Sequence, residues 1–261
     1  MFRYFGYGSN MNIRSLRAKG VEPIRSYVAV LEGWSLRFNV QHFFDHEGGV
    51  GNIQPNPSAK VLGVMHECYD QALKKLDEAE AYGFGYDRKN VEVRTTQGEN
   101  FDAISYIGMP SFIDDQRLPT RRYLNILVDG AVQAGLDAAY IESLKNHPIH
   151  ETTPYPPFSE PEGDFPQFTE ASLANNAMYT GLYGAVFDMS EARPLHEYLK
   201  HFFGGRDMTL FHLKRLDSST GNETMEDIKQ ANLNSDQQRY INAYLHEYAK
   251  EYRYAGRINY N

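Results

Sequence analysis

The alternation of apolar and polar residues along the chain marks out a series of short elements. Residues 2–7, FRYFGY, are dense in aromatic side chains and end at Gly8 and Ser9, the pattern of a strand running into a turn. Tyr27–Leu31 and Trp34–Asn39 are β-rich, with Gly33 between them. Gly48, Gly49 and Gly51 predict a loop, and the following VGNIQPNPSAK stays rich in turn formers. AKVLGVMHECY, with its Val, Leu and Met content, predicts a strand. In DQALKKLDEAEAY, Leu73, Leu76 and Ala79 recur at i, i+3 and i+6, which puts them on one helical face. KNVEVRTT and FDAISYIG predict a hairpin turning at Gln97-Gly98. PTRRYLNILVDGAVQAGL and AAYIESLKNH predict two helices separated by Gly135. Residues 1–147 therefore read as an α+β unit with mostly antiparallel strands, and nothing repeats at a solenoid period.

A second set of elements follows. GLYGAVFDM, residues 181–189, predicts a strand, and Leu195–Phe203 a helix that stops at Gly204-Gly205. Asp207-Met208-Thr209 can cap a short helix through Leu213. SDQQRYINAYLHEYAKEY predicts a long helix capped by Ser235 or Asp236, with Ile241, Tyr244, Leu245 and Tyr248 as its apolar stripe. YAGRI closes the unit as a strand.

Between the two sets lies HPIHETTPYPPFSEPEGDFPQF, which holds six of the chain's 12 prolines. Proline donates no ladder hydrogen bond and restricts the residue before it, so this stretch predicts a linker. Tyr155, Phe158, Phe165 and Phe168 give it rings that a free tether does not need. The expectation is a segment lying along a domain surface, with a plain flexible spacer as the alternative. The expected organisation is a domain over 1–147, an acidic Pro-rich linker over 148–177 and a domain over 178–261.

Charge sharpens this division. The net charge is −8, and residues 148–177 contribute −5 of it, with five acids and no Lys or Arg. The two expected domains are close to neutral, so acidity says little about a binding pocket. A net charge of −8 argues against a broad basic face for nucleic acid. The one cysteine, Cys68, excludes an internal disulfide and a four-cysteine zinc framework. No apolar run approaches the ~20 residues of a membrane span. The start, MFRYFGYGSN, lacks the basic and apolar pattern of a leader, so the expectation is a cytoplasmic protein.

Several motifs can be weighed on their chemistry. Gly6-Tyr7-Gly8 lacks the third glycine of a dinucleotide fingerprint, because Met11 stands there. His196-Glu197 with His201 has the wrong spacing for two zinc ligands, since i and i+5 diverge on a helix. Asn222-Glu223-Thr224 matches a glycosylation sequon without a secretory context. Tyr7-Gly8-Ser9-Asn10 is different: small residues after a strand let backbone N–H groups form a nest for a carboxylate or phosphate, although an ordinary turn has the same sequence. Glu80 ends a predicted helix, where the macrodipole disfavours a carboxylate. Tyr82, Phe84 and Tyr86 follow and could wall it with apolar surface, and both effects would raise its pKa toward an acid/base range. A solvated acid within DEAE is the alternative.

The order of YFGYGSNM, VGNIQPNPSAKVLGVMHECY, LKKLDEAEAYGFGYDRKNVEV and P-TRRYLNILVDGAVQAGLDAAYIESL resembles the gamma-glutamylcyclotransferase-like (AIG2-like) family across residues 1–147. The resemblance implies a small mixed β-barrel with flanking helices around one cavity. It implies that the Tyr7-Gly8-Ser9-Asn10 turn holds the α-carboxylate of a small γ-glutamyl substrate, and that Glu80 is the catalytic acid/base. Tyr123 matches the family's tyrosine in the loop-to-helix segment, and Tyr86 is a further hydrogen-bond partner in the cavity. Two departures stand out: Ala81 replaces the usual glycine after the glutamate, and GVGNI replaces Gly-x-Ala-Asn-Ile. In the implied reaction the substrate's own α-amine is the nucleophile, so no Ser-His or Cys-His pair is needed, and no cofactor or metal.

Residues 181–258 more faintly resemble a cytochrome b5-like domain of the membrane-associated progesterone receptor type, through GAVFDMS, the Gly-Gly-Arg-Asp-Met-Thr turn and the closing helix with YRYAGRI. The His-Pro-Gly-Gly element is absent, and Asp217 stands near the second ligand position. His196, His201 and His212 are off pattern and Tyr198 is a loose match, so the expectation is a haem-free domain. The alternatives to an enzyme are a non-catalytic barrel joined to a haem or small-ligand module, and a partner-recruiting fusion.

Overall fold

The computed structural model describes residues 1–260, and the chain divides into two units, Met1–Glu151 and Thr152–Asn261. Asn261, the last residue of the expected second domain, lies outside the described residues.

The first unit is a closed five-stranded barrel with strand order β1-β3-β2-β4-β5. Its strands are β1 (Phe2–Gly6), β2 (Arg25–Gln41), β3 (Gly49–Cys68), β4 (Tyr86–Thr95) and β5 (Asn100–Gly108). Neighbours are antiparallel except for the closing contact, where Tyr4 of β1 runs parallel to Ile104 of β5. All five strands contribute to one buried cluster: Phe5 from β1, Leu31 from β2, Met65 from β3, Val93 from β4 and Ala103 from β5. Side chains on a strand alternate between faces, so the neighbours Tyr4 and Tyr106 fall into a different cluster, with Leu16, Cys68 and Leu76.

Helices α1 (Ile13–Ala18), α2 (Leu73–Ala79), α3 (Arg121–Ala134) and α4 (Ala138–Lys145) flank the barrel. The α3 helix is capped by the Thr120 side chain and ends at Gly135, whose φ of +77° is the left-handed cap that glycine favours. Its Leu124 and Leu127 pack with Met11, Phe38 and Val64. A Cβ on Gly130 would lie 2.5 Å from the Asn12 nitrogen and 2.7 Å from the Met11 carbonyl carbon, so glycine lets α3 touch the backbone after β1.

Local sequence misled in three places. Tyr27–Leu31 and Trp34–Asn39 are one strand, β2, with a register shift between Glu32 and Trp34 where Gly33 has φ +79°. The turn-rich VGNIQPNPSAK lies inside the 20-residue β3. Pairing with β2 overrides its turn formers, and Pro55 and Pro57 fall in an exposed stretch. The predicted helix over residues 70–82 is shorter: a 3-10 turn at Asp70–Ala72 leads into α2, and Glu80 is the C-cap.

The second unit is a five-stranded sheet, order β6-β10-β8-β7-β9, with helices. Its elements are β6 (Gln167–Phe168), α5 (Glu170–Ala174), β7 (Tyr179–Leu182), β8 (Ala185–Asp188), α6 (Glu197–Phe203), β9 (Arg206–Asp207), α7 (Thr209–Leu213), α8 (Met225–Lys229), α9 (Ser235–Glu251) and β10 (Arg253–Ile258). The single strand expected over 181–189 is the hairpin β7–β8. Its turn residues Tyr183 and Gly184 have φ of +44° and +86°. Positive φ at both centres is the hairpin geometry that matches strand twist. The α9 cap is Asn234, one residue before the expected Ser235.

The proline-rich segment lies on α9. Tyr155 donates its hydroxyl to Glu247 Oε1 at 2.5 Å, and its ring stacks on His246 at 4.8 Å between centroids. The Phe158 amide donates to Asn242 Oδ1 at 2.8 Å, and Asn242 Nδ2 donates to the Pro156 carbonyl at 2.9 Å. Phe165 packs edge-on to Tyr254 and Phe168 edge-on to Tyr179. Within the expected linker range, Gln167–Phe168 is a strand and Glu170–Ala174 a helix. Among the described residues, no helix is long and apolar enough to cross a membrane.

Candidate active site

Glu80 is built into the first unit from below and from the side. As the C-cap of α2 it sits where the last helical carbonyls point, and its side chain is 13% exposed. Two donors converge on Oε1: Asn10 Nδ2 at 2.8 Å and Lys19 Nζ at 2.7 Å. Lys19, the C-cap of α1, is only 5% exposed and also donates to Asn10 Oδ1 at 2.6 Å. Asn10 Nδ2 further reaches the Tyr4 hydroxyl at 2.7 Å. The Asn10 amide is thereby oriented, with its oxygen to the ammonium and its nitrogen to the carboxylate.

The turn after β1 supplies the other half. Ser9–Met11 form one 3-10 turn with Gly8 before it, so the leading amides have no carbonyl one turn earlier to bond. The Asn12 side chain then caps α1 by accepting from the Arg14 and Ser15 amides. Gly8 and Gly51 both lie against Tyr123: added Cβ atoms would sit 3.0 Å and 2.9 Å from its hydroxyl. The Gly51 amide donates to that hydroxyl at 2.9 Å, and the Ser9 amide also faces it. Tyr86 donates to the Gly51 carbonyl at 2.7 Å, and Tyr7 donates to the Tyr106 carbonyl at 2.5 Å. These bonds fall into two groups that meet along the chain at Ser9-Asn10: Tyr4, Lys19 and Glu80 around the Asn10 side chain, and Tyr7, Tyr86 and Tyr123 around the Gly51 backbone.

Burial sets the state of the phenols. It holds Tyr4, Tyr7 and Tyr86 well above the ordinary tyrosine range and pushes Tyr123 up to about 12, and the Glu80 charge adds to each shift. They are neutral hydroxyls at physiological pH, able to donate or accept. Tyr106 donates to Asp77 Oδ1 at 2.6 Å, which ties α2 to β5.

Of the expected apolar wall, Tyr86 alone joins this network. Tyr82 is 40% exposed, with the Arg88 guanidinium 4.2 Å from its ring centre. Phe84 packs on Phe43 and Phe112. Ala81 takes φ +50°, a left-handed conformation in which a Cβ costs ~1–2 kcal/mol. Lys19 was invisible to the argument that helix end and burial both disfavour a charged Glu80; an ammonium at 2.7 Å opposes both. A buried acid calls for a cationic partner, but AKG after a short helix reads as solvated.

His66 supports the turn from β3. Nε2 lies 2.9 Å from the Asn10 carbonyl and Nδ1 2.8 Å from Ser26 Oγ. A carbonyl only accepts, so Nε2 carries the proton and Nδ1 accepts from Ser26. Burial pushes the ring down to about 4 from its ordinary 6.5. Its folded value is depressed, so the unfolded chain takes up the proton first as pH falls. Stability present above pH 6.5 is lost progressively down to about 4, by about 3 kcal/mol. Denaturant titrations at a series of pH values should show this slope, and His66→Gln should flatten it relative to wild type.

Other chemistry is not assembled. Burial pushes the Cys68 thiol up to about 11, which suits a core residue and not a nucleophile. Among the described residues, no three His, Cys, Asp or Glu side chains group as metal ligands. In the second unit, His196 Nδ1 pairs with the Tyr252 hydroxyl at 2.8 Å and His212 Nε2 with the Tyr248 hydroxyl at 2.9 Å, both rings being buried. Tyr198 stacks on Phe202. The two histidines are thus engaged inside the second unit, an arrangement that does not present them to a haem iron.

The family match to known proteins takes in Glu80, Tyr86 and Tyr123 but not the Tyr7–Asn10 turn. Residues 60–144 match the AIG2-like family. A curated protein, "Gamma-glutamyl cyclotransferase gliK" of Claviceps purpurea (strain 20.1), is 26% identical over 144 residues, covering 52% of this chain. The match spans 65% of that relative's own length. Among solved structures, one titled "Gamma-glutamyl cyclotransferase" is 27% identical with a TM-score of 0.52, covering 58% of this chain and 90% of its own. The human uncharacterized protein loc79017 gives the same identity, TM-score and coverage. These similarities lend no support to the cytochrome b5-like resemblance of residues 181–258. Residues 60–144 therefore carry the AIG2-like pattern, on a barrel whose fold is shared with a solved gamma-glutamyl cyclotransferase.

Proposed function

We propose that the first unit is a γ-glutamyl cyclotransferase, which converts a γ-glutamyl amide into 5-oxoproline and a free amine. The observation that carries this reading is the Glu80 carboxylate held through Asn10 against the Gly8-Ser9 turn, with Tyr4, Tyr7, Tyr86 and Tyr123 buried around it. The Tyr123 hydroxyl accepts from the Gly51 amide and faces the Ser9 amide, which leaves its own proton to donate to the substrate's α-carboxylate beside the Gly8-Ser9 turn. That contact places the α-ammonium near Glu80.

The reaction then needs one proton carrier. Glu80 takes a proton from the α-ammonium, and the freed amine attacks the γ-carbonyl carbon to form the five-membered ring. The bond to the leaving nitrogen breaks as that nitrogen is protonated. The α-nitrogen loses two protons, one by way of Glu80, and both end on the departing ammonium. The nucleophile belongs to the substrate, so the protein's main contribution is to fold it into an attacking shape, worth on the order of 7–11 kcal/mol at best. Proton transfer through Glu80 adds a further ~10²–10⁴-fold.

The test is a panel of γ-glutamyl amino acids and γ-glutamyl amines, followed for 5-oxoproline and the free amine together. Release of both in equal amounts from at least one member is expected. No release from any member would overturn the proposal.

A further inference from the structure

We propose that Lys19 is a positioning residue that keeps Glu80 ionised and aimed at the turn, so that the resting site begins the reaction with a base. This rests on the cyclotransferase reading of the same site. A substrate whose α-nitrogen arrives as an ammonium needs a carboxylate to receive its proton, and a protonated Glu80 could not serve.

The surroundings of Glu80 otherwise work against ionisation. It lies at the negative end of α2, where helix carbonyls repel a carboxylate. Tyr4 and Tyr7 face it from the β1 side, Tyr86 from β4, Tyr106 from β5 and Tyr123 from α3. All are phenols kept neutral by burial, so they bring no positive charge. Asp77, a turn earlier on α2, is a second acid, engaged by the Tyr106 hydroxyl at 2.6 Å and by Arg88 at 3.5 Å. Arg122, beside Tyr123, is paired with the buried Glu47. The ammonium that reaches Glu80 comes from α1, as Lys19 at 2.7 Å.

The placement of Lys19 is built. It caps the C-terminus of α1, and its amide bonds back to the Leu16 carbonyl at 3.1 Å. Its ammonium is nearly buried and bridges Asn10 Oδ1 and Glu80 Oε1. One side chain therefore fixes both the charge of the acid/base and the orientation of the amide that holds it. A surface ion pair would contribute little, but a desolvated one couples strongly to ionisation.

The experiment compares Lys19→Met and Lys19→Arg with wild type in the full chain. In pH profiles of kcat/KM, Lys19→Met is expected to move the acid limb to higher pH by at least about one unit, with Lys19→Arg restoring it. Lys19→Gln, which can still bond Asn10 without a charge, makes the same comparison should Met not be accommodated. Independently of any substrate, the Glu80 carboxyl carbon is titrated by NMR in protein carrying ¹³C-labelled glutamate, with its resonance identified by loss in Glu80→Gln. An upward move of that titration in the uncharged variants and not in Lys19→Arg supports the proposal. Superposable titrations in all of them would overturn it. If the titration moves but wild type releases no 5-oxoproline, the cyclotransferase reading fails and the Lys19–Glu80 coupling stands.

Discussion

Glu80→Gln is expected to lower kcat for 5-oxoproline release by ~10²–10⁴-fold while the chain stays folded. Glutamine keeps the shape of the side chain and can still accept from Asn10 and Lys19 through its amide oxygen. It cannot take a proton from the α-ammonium. Glu80 is not a core group whose loss collapses the barrel: it caps a seven-residue helix at the edge of the buried cluster of Leu16, Cys68 and Leu76. The fall should therefore appear in kcat and kcat/KM together, with KM changed far less. Steady-state kinetics beside a thermal melt make the measurement. Equal rates for the variant and wild type would remove Glu80 from the chemistry.

Gly130→Ala is expected to give the largest loss of stability, about 3 kcal/mol, and a fall in activity with it. On an exposed helix the same change would stabilise by ~1 kcal/mol, because alanine is the better helix former. Here the new methyl meets the Asn12 nitrogen at 2.5 Å, the Met11 carbonyl carbon at 2.7 Å and the Asn12 Cα at 2.8 Å. All are backbone atoms, so no side chain can swing aside. Either α3 lifts from the barrel or the Ser9–Met11 turn moves, and Tyr123 rides on the first while Asn10 rides on the second. Denaturant unfolding reads the first consequence and 5-oxoproline release the second. A variant as stable as wild type would mean that α3 and the turn are not held in this contact.

The residues proposed for substrate contact were picked out by the order of their segments, which resembles the gamma-glutamylcyclotransferase-like family; singly, the Tyr7–Asn10 turn also reads as an ordinary turn and Glu80 as a solvated acid. Tyr7-Gly8-Ser9-Asn10 ends an aromatic strand, Glu80 ends a helical repeat, and Tyr123 opens the helix after a proline. Their convergence was not legible, because it is made by side chains from distant positions. Lys19 reads as a solvated lysine, and Tyr4 and His66 as ordinary strand residues, until β1 is laid against β3, which pairs Tyr4 with His66. Gly51 reads as loop, yet a side chain there would meet the Tyr123 hydroxyl. In the fold, the helix end at Gly135 was readable from local chemistry, and the Thr120 cap was not singled out. The lengths of β2 and β3 were not, since they depend on pairing across the hairpin. The hairpin β7–β8 escaped because Tyr183, an unusual residue at positive φ, occupies its turn.

The most direct measurement is the identity of the acid released from a γ-glutamyl compound by the wild-type chain. Attack by the substrate's own α-amine yields 5-oxoproline, whereas attack by water would yield glutamate. Mass spectrometry of the reaction should find 5-oxoproline and the free amine in equal amounts, with no accompanying glutamate. Glutamate in place of 5-oxoproline, or no product from any member of the panel, would contradict an intramolecular cyclisation at Glu80.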